Sequence, residues 1–458
     1  MNARERHVSG SLCILGAIMS GIRIASATEP LDAAASNSPA RAYSLEDCLR
    51  IGSARSVAVA NARRDRIIAS AGVTRAKAQA FPHLSATAGY TRLDEVASFD
   101  LGGVTTTFGS LDNYTTALQL NQLLYNGGQV RMGLKAAHVY EQFTRLKVTL
   151  SQAALCRDVR IAFYQVLLAE AALRVEQESV EHLKGFVKET ESKYRQQTVS
   201  EFDWLSAQVR LSNELPRLIL AQNQLDLARE QLRTLVQLDA GDFTLAGDLA
   251  GATPEPPPFE PLLQWGLTHR PEILLQNRMI LLRNADARVA RSDYRPRLDG
   301  FANYQGANTS QLDPTQTGWD WSWNAGLTLR WTLLDGGTRH SAVVEKDQEV
   351  AKAQADLEEL MRAVTLDIRQ NYLDLTHARE TVSVAAANIA LAEKGLQIAK
   401  TRYEQGLSTY LEFTDTNVAL SAARLGLCQA QYAYRSAVAR LRYAIGLSED
   451  SPTPEITL

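Results

Sequence analysis

The sequence predicts a mostly helical α+β chain, with long coiled-coil hairpins and short runs of β-strand in a plan written twice. Three observations predict it. The chain repeats itself at an offset of 209 residues, an apolar seven-residue comb runs through both copies, and in two segments the hydrophobic period switches to two.

The repeat is clearest in "KYRQQTVSEFDWLSA" (193–207) and "RYEQGLSTYLEFTD" (402–415), where Tyr194 and Tyr403 are 209 residues apart, as are Asp203 and Glu412. "LLYNGG" (123–128) maps onto "TLLDGG" (332–337), and "LRTLVQL" (232–238) onto "LRYAIGL" (441–447), at the same offset. "FPHLSATAGY" (81–90) and "YRPRLDGFANY" (294–304) pair at an offset of 214, so loops of unequal length are expected between each proline and double glycine. Units of this size are too long for a solenoid; the chain is a duplicated half-molecule.

Between Gly337 and Tyr403 only Gly395 interrupts helix-forming sequence, and Met361, Ile368, Leu375, Val382, Ile389, Leu396 and Tyr403 recur every seven residues. A second series, from Leu357 and Val364 to Ala399, runs beside it with Asn371 as its polar member. The first copy repeats the comb at Val159, Val166, Leu173, Val180, Val187 and Tyr194. Large residues flanked by alanine at heptad spacing predict coiled-coil seams. Residues 128–194 and 337–403 would each be a helix about 100 Å long, so an elongated body is expected. At each comb's end the chain turns back: Gly406 suits a left-handed helix end and Ser408 or Thr409 a cap, whereas Gln197 stands in place of the glycine and predicts a more strained first turn.

Residues 82–127 and 296–336 alternate instead. In "NAGLTLRWTLL", Ala325, Leu327, Leu329, Trp331 and Leu333 alternate with Asn324, Gly326, Thr328, Arg330 and Thr332. Strands of this length with aromatic ends (Tyr90, Tyr114, Trp319, Trp321, Trp323, Trp331) and polar loops (95–112, 306–318) fit a lipid-facing barrel. Each copy supplies two strands. Half-buried soluble hairpins are the other reading; if the strands span a membrane, four cannot close and open edges are not tolerated in lipid, so several chains must share one barrel.

The chain has 458 residues, 45% hydrophobic and 22% charged, with net charge -3, which argues against nucleic acid as a partner. Arg4, Arg6 and His7 before "LCILGAIMSGI" (12–22) and "ASA" (25–27) read as a signal peptide over 1–27. The first repeat is placed at 28–240, with strands at 82–124 and a tip near 197. A proline-rich linker (241–261) follows, then the second repeat (262–447), with strands at 296–334 and a tip near 406, and a tail (448–458). Cys48, Cys156 and Cys428 are widely spread and form no zinc motif; they read as small buried helix residues. His83, His138, His182, His269, His340 and His377 do not cluster, and neither HExxH nor GxSxG occurs, so no enzyme, cofactor or metal site is expected.

Taken together, the paired L-x-x-G-G junctions, the proline before each first strand, "RPEI" (270–273) and the two tips resemble the TolC-type outer-membrane efflux family over residues 45–447. The resemblance implies an outer-membrane location in a Gram-negative bacterium and a homotrimer. Its strands would close one β-barrel in outer-membrane lipid, and its helices an α-barrel across the periplasm. It also implies a passive duct for a tripartite efflux pump or type I secretion system, working with a periplasmic adaptor (membrane fusion) protein and an inner-membrane pump of RND or ABC type. Carried over residue by residue, the family's charged constriction falls on Glu412 and Asp415, and its latch on Tyr403 with Asp203. The family's second latch arginine falls on Ser408, opposite Phe202, and is missing here. Adaptor docking falls on the tips: Gln197 and Thr198, and Gly406, Leu407 and Ser408. An elongated periplasmic coiled-coil scaffold is the second reading; it accounts for the heptads but for neither the leader nor the alternating segments.

Overall fold

Two consecutive glycines end the strand run of each repeat, and all four adopt left-handed backbone: Gly127 and Gly128 at φ 67° and 93°, Gly336 and Gly337 at 65° and 94°. A Cβ on Gly127 would sit 2.6 Å from the Ser292 carbonyl oxygen, so sterics and conformation both require glycine there. From these turns the two long helices start, α3 (Gln129–Arg195) and α7 (Thr338–Glu404), of 67 residues each. Return helices α4 (Glu201–Val236) and α8 (Tyr410–Ala444) complete the hairpins. The computed structural model describes residues 41–108, 110–239, 241–309, 317–405 and 407–447; the expected signal peptide, the tail 448–458 and Gly406 lie outside the described residues.

The first repeat opens with β1 (Arg41–Ser44), α1 (Leu45–Arg55) and α2 (Val57–Ala78). Ser44 and Asp47 form a reciprocal capping box at the start of α1. Four strands follow: β2 (His83–Arg92), β3 (Ala97–Leu101), β4 (Val104–Phe108) and β5 (Asp112–Asn126). After α4 come β6 (Phe243–Ala246), α5 (Phe259–His269) and α6 (Pro271–Ser292), then β7 (Arg297–Thr309) and β8 (Thr317–Arg330).

Three details differ from the sequence expectations. Residues 95–112, expected as a polar loop, contain the β3–β4 hairpin, turned by Gly102 and Gly103 at φ 64° and 94°. That pair of positive φ values is what a two-residue hairpin turn needs. Alternation suggested strand up to residue 334, but β8 stops at Arg330. Beyond it Asp335 accepts bonds from the backbone N–H groups of Gly337 and Arg339 (3.3 and 3.0 Å) and caps α7. The linker carries regular structure, since β6 pairs with β1 and α5 begins at Phe259.

The main sheet is antiparallel in the order β2–β5–β7–β8, so the two repeats meet at β5–β7 and the edges are β2 and β8. The register sorts side chains by face. Leu84, Leu120, Ala302 and Ala325 fall in one row across the sheet, and Ala86, Leu118, Tyr304 and Trp323 in the next. The opposite face carries Ser85, Gln119, Asn303 and Asn324, with an Asn303–Asn324 side-chain bond of 2.9 Å. One apolar face and one polar face suit lipid outside and water inside. No helix among the described residues is long and apolar enough to cross a membrane.

The helices bury two related cores. Val159, Phe163 and Val166 of α3 pack with Leu232 and Val236 of α4 and with Cys48 of α1. Val364, Ile368 and Leu375 of α7 pack with Leu441 and Ile445 near the end of α8 and with Leu262 of α5. Cys48 is buried, and burial pushes its pKa up to about 11.

One polar feature has no counterpart in the second repeat. Glu176 on α3 meets Glu214 on α4, to which the buried Ser179 hydroxyl donates (3.2 Å), two residues before the helix-interior Pro216. Positions 209 residues further on hold Ala385, Ala423 and Leu425. Burial, the bond with Glu214 and its charge raise the Glu176 pKa, with Arg217 opposing. A carboxyl protonated more readily when folded contributes stability at low pH, and loses it as pH rises through the raised value. Glu176→Gln is therefore expected to raise the melting temperature at pH 7 more than at pH 4, read from circular dichroism melts at both. Equal shifts at the two pH values would count against the raised Glu176 pKa.

Candidate functional site

The tips are built by capping. At the first, Gln197 takes φ 56°, while the N–H groups of Gln197 and Thr198 donate to the carbonyls of Tyr194 and Lys193 (2.8 and 2.9 Å). This is a Schellman ending with a non-glycine residue in the left-handed position, at a cost of roughly 1–2 kcal/mol. Ser200 then caps α4 in a box with Asp203. At the second tip the Leu407 N–H donates to the Arg402 carbonyl (2.8 Å), and Thr409 rather than Ser408 caps α8.

Tyr403 and Asp203 line one cavity of about 860 Å³ between the hairpins, with Lys193, Phe202, Arg210 and Leu411 also on its wall. Asp203 Oδ2 accepts from the Ser200 N–H (3.2 Å) and hydroxyl (2.7 Å). The Tyr403 hydroxyl accepts from Lys193 Nζ (3.2 Å), whose charge also lies 5.3 Å from the Tyr403 ring centre. The bond to Glu189, reinforced by Tyr403, holds the Lys193 pKa above its ordinary value against burial.

Glu412 and Asp415 share one face of α8, each beside an arginine. Arg402 Nη1 lies 3.0 Å from Glu412 Oε1. Arg210 Nη1 lies 3.5 Å from Asp415 Oδ1 and donates to the hydroxyl of the buried Thr414 at 2.7 Å. The expected acidic constriction is thus compensated within the chain. Sequence reasoning missed Lys193, Arg210 and Arg402. Arg402 could have been suspected, because it precedes Tyr403 in the repeated motif; Arg210 stands 205 residues from Asp415, with no local signal.

The flanks are incomplete in a systematic way. Within the chain α3 packs on α6 and on α8, and β5 pairs with β7. Moving each contact one repeat along would place α7 on α2 and on α4, and β8 against β2. Instead β2 and β8 are edges, and the corresponding helix faces are apolar and exposed. On α7 Leu366, Leu373, Val384, Leu391 and Ile398 form a stripe at spacings of seven and eleven; on α4 Phe202, Val209, Leu220 and Leu227 form another. These stripes lie beside the comb that faces the partner helix and were not read from the sequence. Among the described residues no group of three or more His, Cys, Asp or Glu side chains could hold a metal ion.

The family described as outer membrane efflux protein matches residues 51–236 and 262–447, one match per repeat. The outer membrane protein TolC of Escherichia coli K12 is 24% identical over 399 residues, 83% of this chain and 78% of TolC. The alkaline protease secretion protein AprF of Pseudomonas aeruginosa is 22% identical over 355 residues, 74% and 71% of the two chains. The open-state structure of the MtrE outer membrane channel of Neisseria gonorrhoeae shares the fold at a TM-score of 0.73 and 17% identity, covering 88% of each chain. The chain belongs to the outer membrane efflux protein family. It is an outer-membrane efflux channel of TolC type, not an enzyme.

Proposed function

We propose that three copies of this chain close into one duct, the passive exit of a tripartite efflux pump or type I secretion system. The observation that carries this reading is the complementarity of the chain's two ends. One flank (β8 and α7) offers what the other (β2, α2 and α4) accepts, and among the described residues neither packing is formed within the chain. Such a contact is heterologous, and closes a ring when the rotation permits; the family resemblance sets the number at three. Twelve strands would then carry the apolar face outward into the outer membrane, and twelve long and return helices would line a periplasmic tunnel.

The tips are the periplasmic mouth. Gln197, Thr198, Gly406, Leu407 and Ser408 meet a periplasmic adaptor that joins the duct to an inner-membrane pump. Tyr403 and Asp203 belong to its closure, and Glu412 and Asp415 to its constriction. Paired with Arg402 and Arg210, these carboxylates act as a ring of ion pairs more than as a bare acidic ring, so cation preference should be modest and sensitive to salt. The protein is expected to leave outer-membrane fractions only with detergent, and light scattering of the extract should give three chains per particle. A water-soluble monomer would overturn the reading.

A further inference from the structure

We propose that the neck of the duct, where the β-barrel meets the helical tunnel, carries a collar of arginines, Arg297 and Arg330 from each subunit, that binds multivalent anions in the lumen. The inference rests on the three-chain duct described above, since only a closed barrel has a lumen.

Arg297 begins β7 and Arg330 ends β8, and the two are direct partners across the antiparallel pair. In steps of two along each strand, Arg297 shares a face with Asn303 and Arg330 with Asn324, so both lie on the polar face. Leu298 and Leu329, the next pair along, take the opposite, apolar side. Both arginines are exposed. Arg297 Nε lies 2.8 Å from Asp299, whereas among the described residues no carboxylate pairs with Arg330. Besides these three and His83, the polar face of the described main sheet carries one charged residue, Asp320, ten positions from Arg330 along β8.

Like charges set directly opposite each other weaken a strand pair. The fold does not require them here. The repeat offsets of 214 and 209 carry Arg297 to His83 and Arg330 to Asn121, which are likewise direct partners, across β2 and β5. The first repeat thus fills the same place without an arginine. In the closed barrel the repeat relation would set all four positions at one height. Six arginines, with three Asp299 carboxylates, would then ring a lumen lined further along by Ser85, Gln119, Asn303 and Asn324. Low-dielectric walls focus such a field, and a ring of arginines favours anions. At the mouth Glu412 and Asp415 are offset by Arg402 and Arg210, which leaves the collar to tilt the duct toward anions. Its ligands are phosphate- or carboxylate-bearing groups, which a guanidinium grips with paired hydrogen bonds.

Recording from the purified full-length protein in planar bilayers tests this, with tripolyphosphate as the probe on the side where the barrel opens. The parent channel should be blocked reversibly. Arg297→Gln combined with Arg330→Gln should raise the half-blocking concentration by at least about tenfold, the scale of one hydrogen bond between charged groups. The same variant should move the reversal potential in a KCl gradient toward cation preference. Asp299→Asn removes the collar's carboxylate and should tighten the block. Arg92→Gln, on the apolar face at the other end of the sheet, should leave it unchanged. Should the double variant fail to insert, Arg330→Gln alone decides. Block that is absent from the parent, or equal in parent and variants, overturns the collar and leaves the duct standing. A parent that forms no channel overturns both.

Discussion

Arg270→Ala is expected to lower the stability of the helical body by about 1–3 kcal/mol, the usual consequence of leaving a buried acceptor and partly buried carboxylates without their donor. The Arg270 side chain is 9% exposed, and its Nη1 lies 2.6 Å from Asp367 and donates to the Ala444 carbonyl at 3.2 Å. Its Nε lies 3.1 Å from Glu272, which also accepts from the Tyr443 hydroxyl at 3.1 Å. One guanidinium thus joins the α5–α6 junction, the middle of α7 and the end of α8. The backbone is close too: a Cβ on Gly446 would come within 2.9 Å of Arg270 Cα. The first repeat solves the same junction with Ser56, which caps α2 through the Val59 N–H. Arg283→Ala is the control. Arg283 pairs with Glu349 at 3.2 Å but is 40% exposed, so less than about 1 kcal/mol is expected. Thermal melts followed at 222 nm should separate the two variants clearly; equal shifts would show that the buried network contributes no more than a surface pair.

Leu391→Glu combined with Ile398→Glu is expected to abolish the proposed trimer while leaving the chain's helices in place. Both side chains point away from the chain's own cores, at 68% and 61% exposed, so a single protomer tolerates charge there. In the closed ring they would meet α4 of the neighbour. Each apolar side chain buried there contributes roughly 1.5–3 kcal/mol, and each glutamate would add desolvation. With three such contacts per ring, assembly should fail. Light scattering of the detergent extract should then report single chains with a parent-like far-ultraviolet spectrum. A persisting trimer would mean that the α7 stripe is not the contact between subunits.

Several parts of this architecture were open to reading in one dimension because they are local or periodic. The 209-residue offset places α3 and α7 with matching ends, and the comb through Ile368 and Leu375 marks the α7 face that packs on α8. The double glycines mark the sheet-to-helix turns because backbone at φ near 65° and 94° in succession selects glycine from sequence alone. The β3–β4 hairpin was missed although Gly102–Gly103 signalled it, because its threonine-rich strands read as loop.

The candidate site was less accessible, for a different reason. Asp203 and Glu412 lie at matching repeat positions, yet one completes a cap with Ser200 and the other meets Arg402. Helix-start chemistry decides the first, and the reach of a side chain across the turn decides the second. Sequence alone determined the duplicated plan, the hairpins and the alternating segments, because heptad spacing, strand alternation and glycine conformation act over a few residues. Only the tertiary structure decided which cation meets which carboxylate at the tips and which stripe of each helix stays uncovered. Arg210 and Asp415 stand 205 positions apart, and distance along the chain carries no information about which side chains the packed helices bring within a few ångströms.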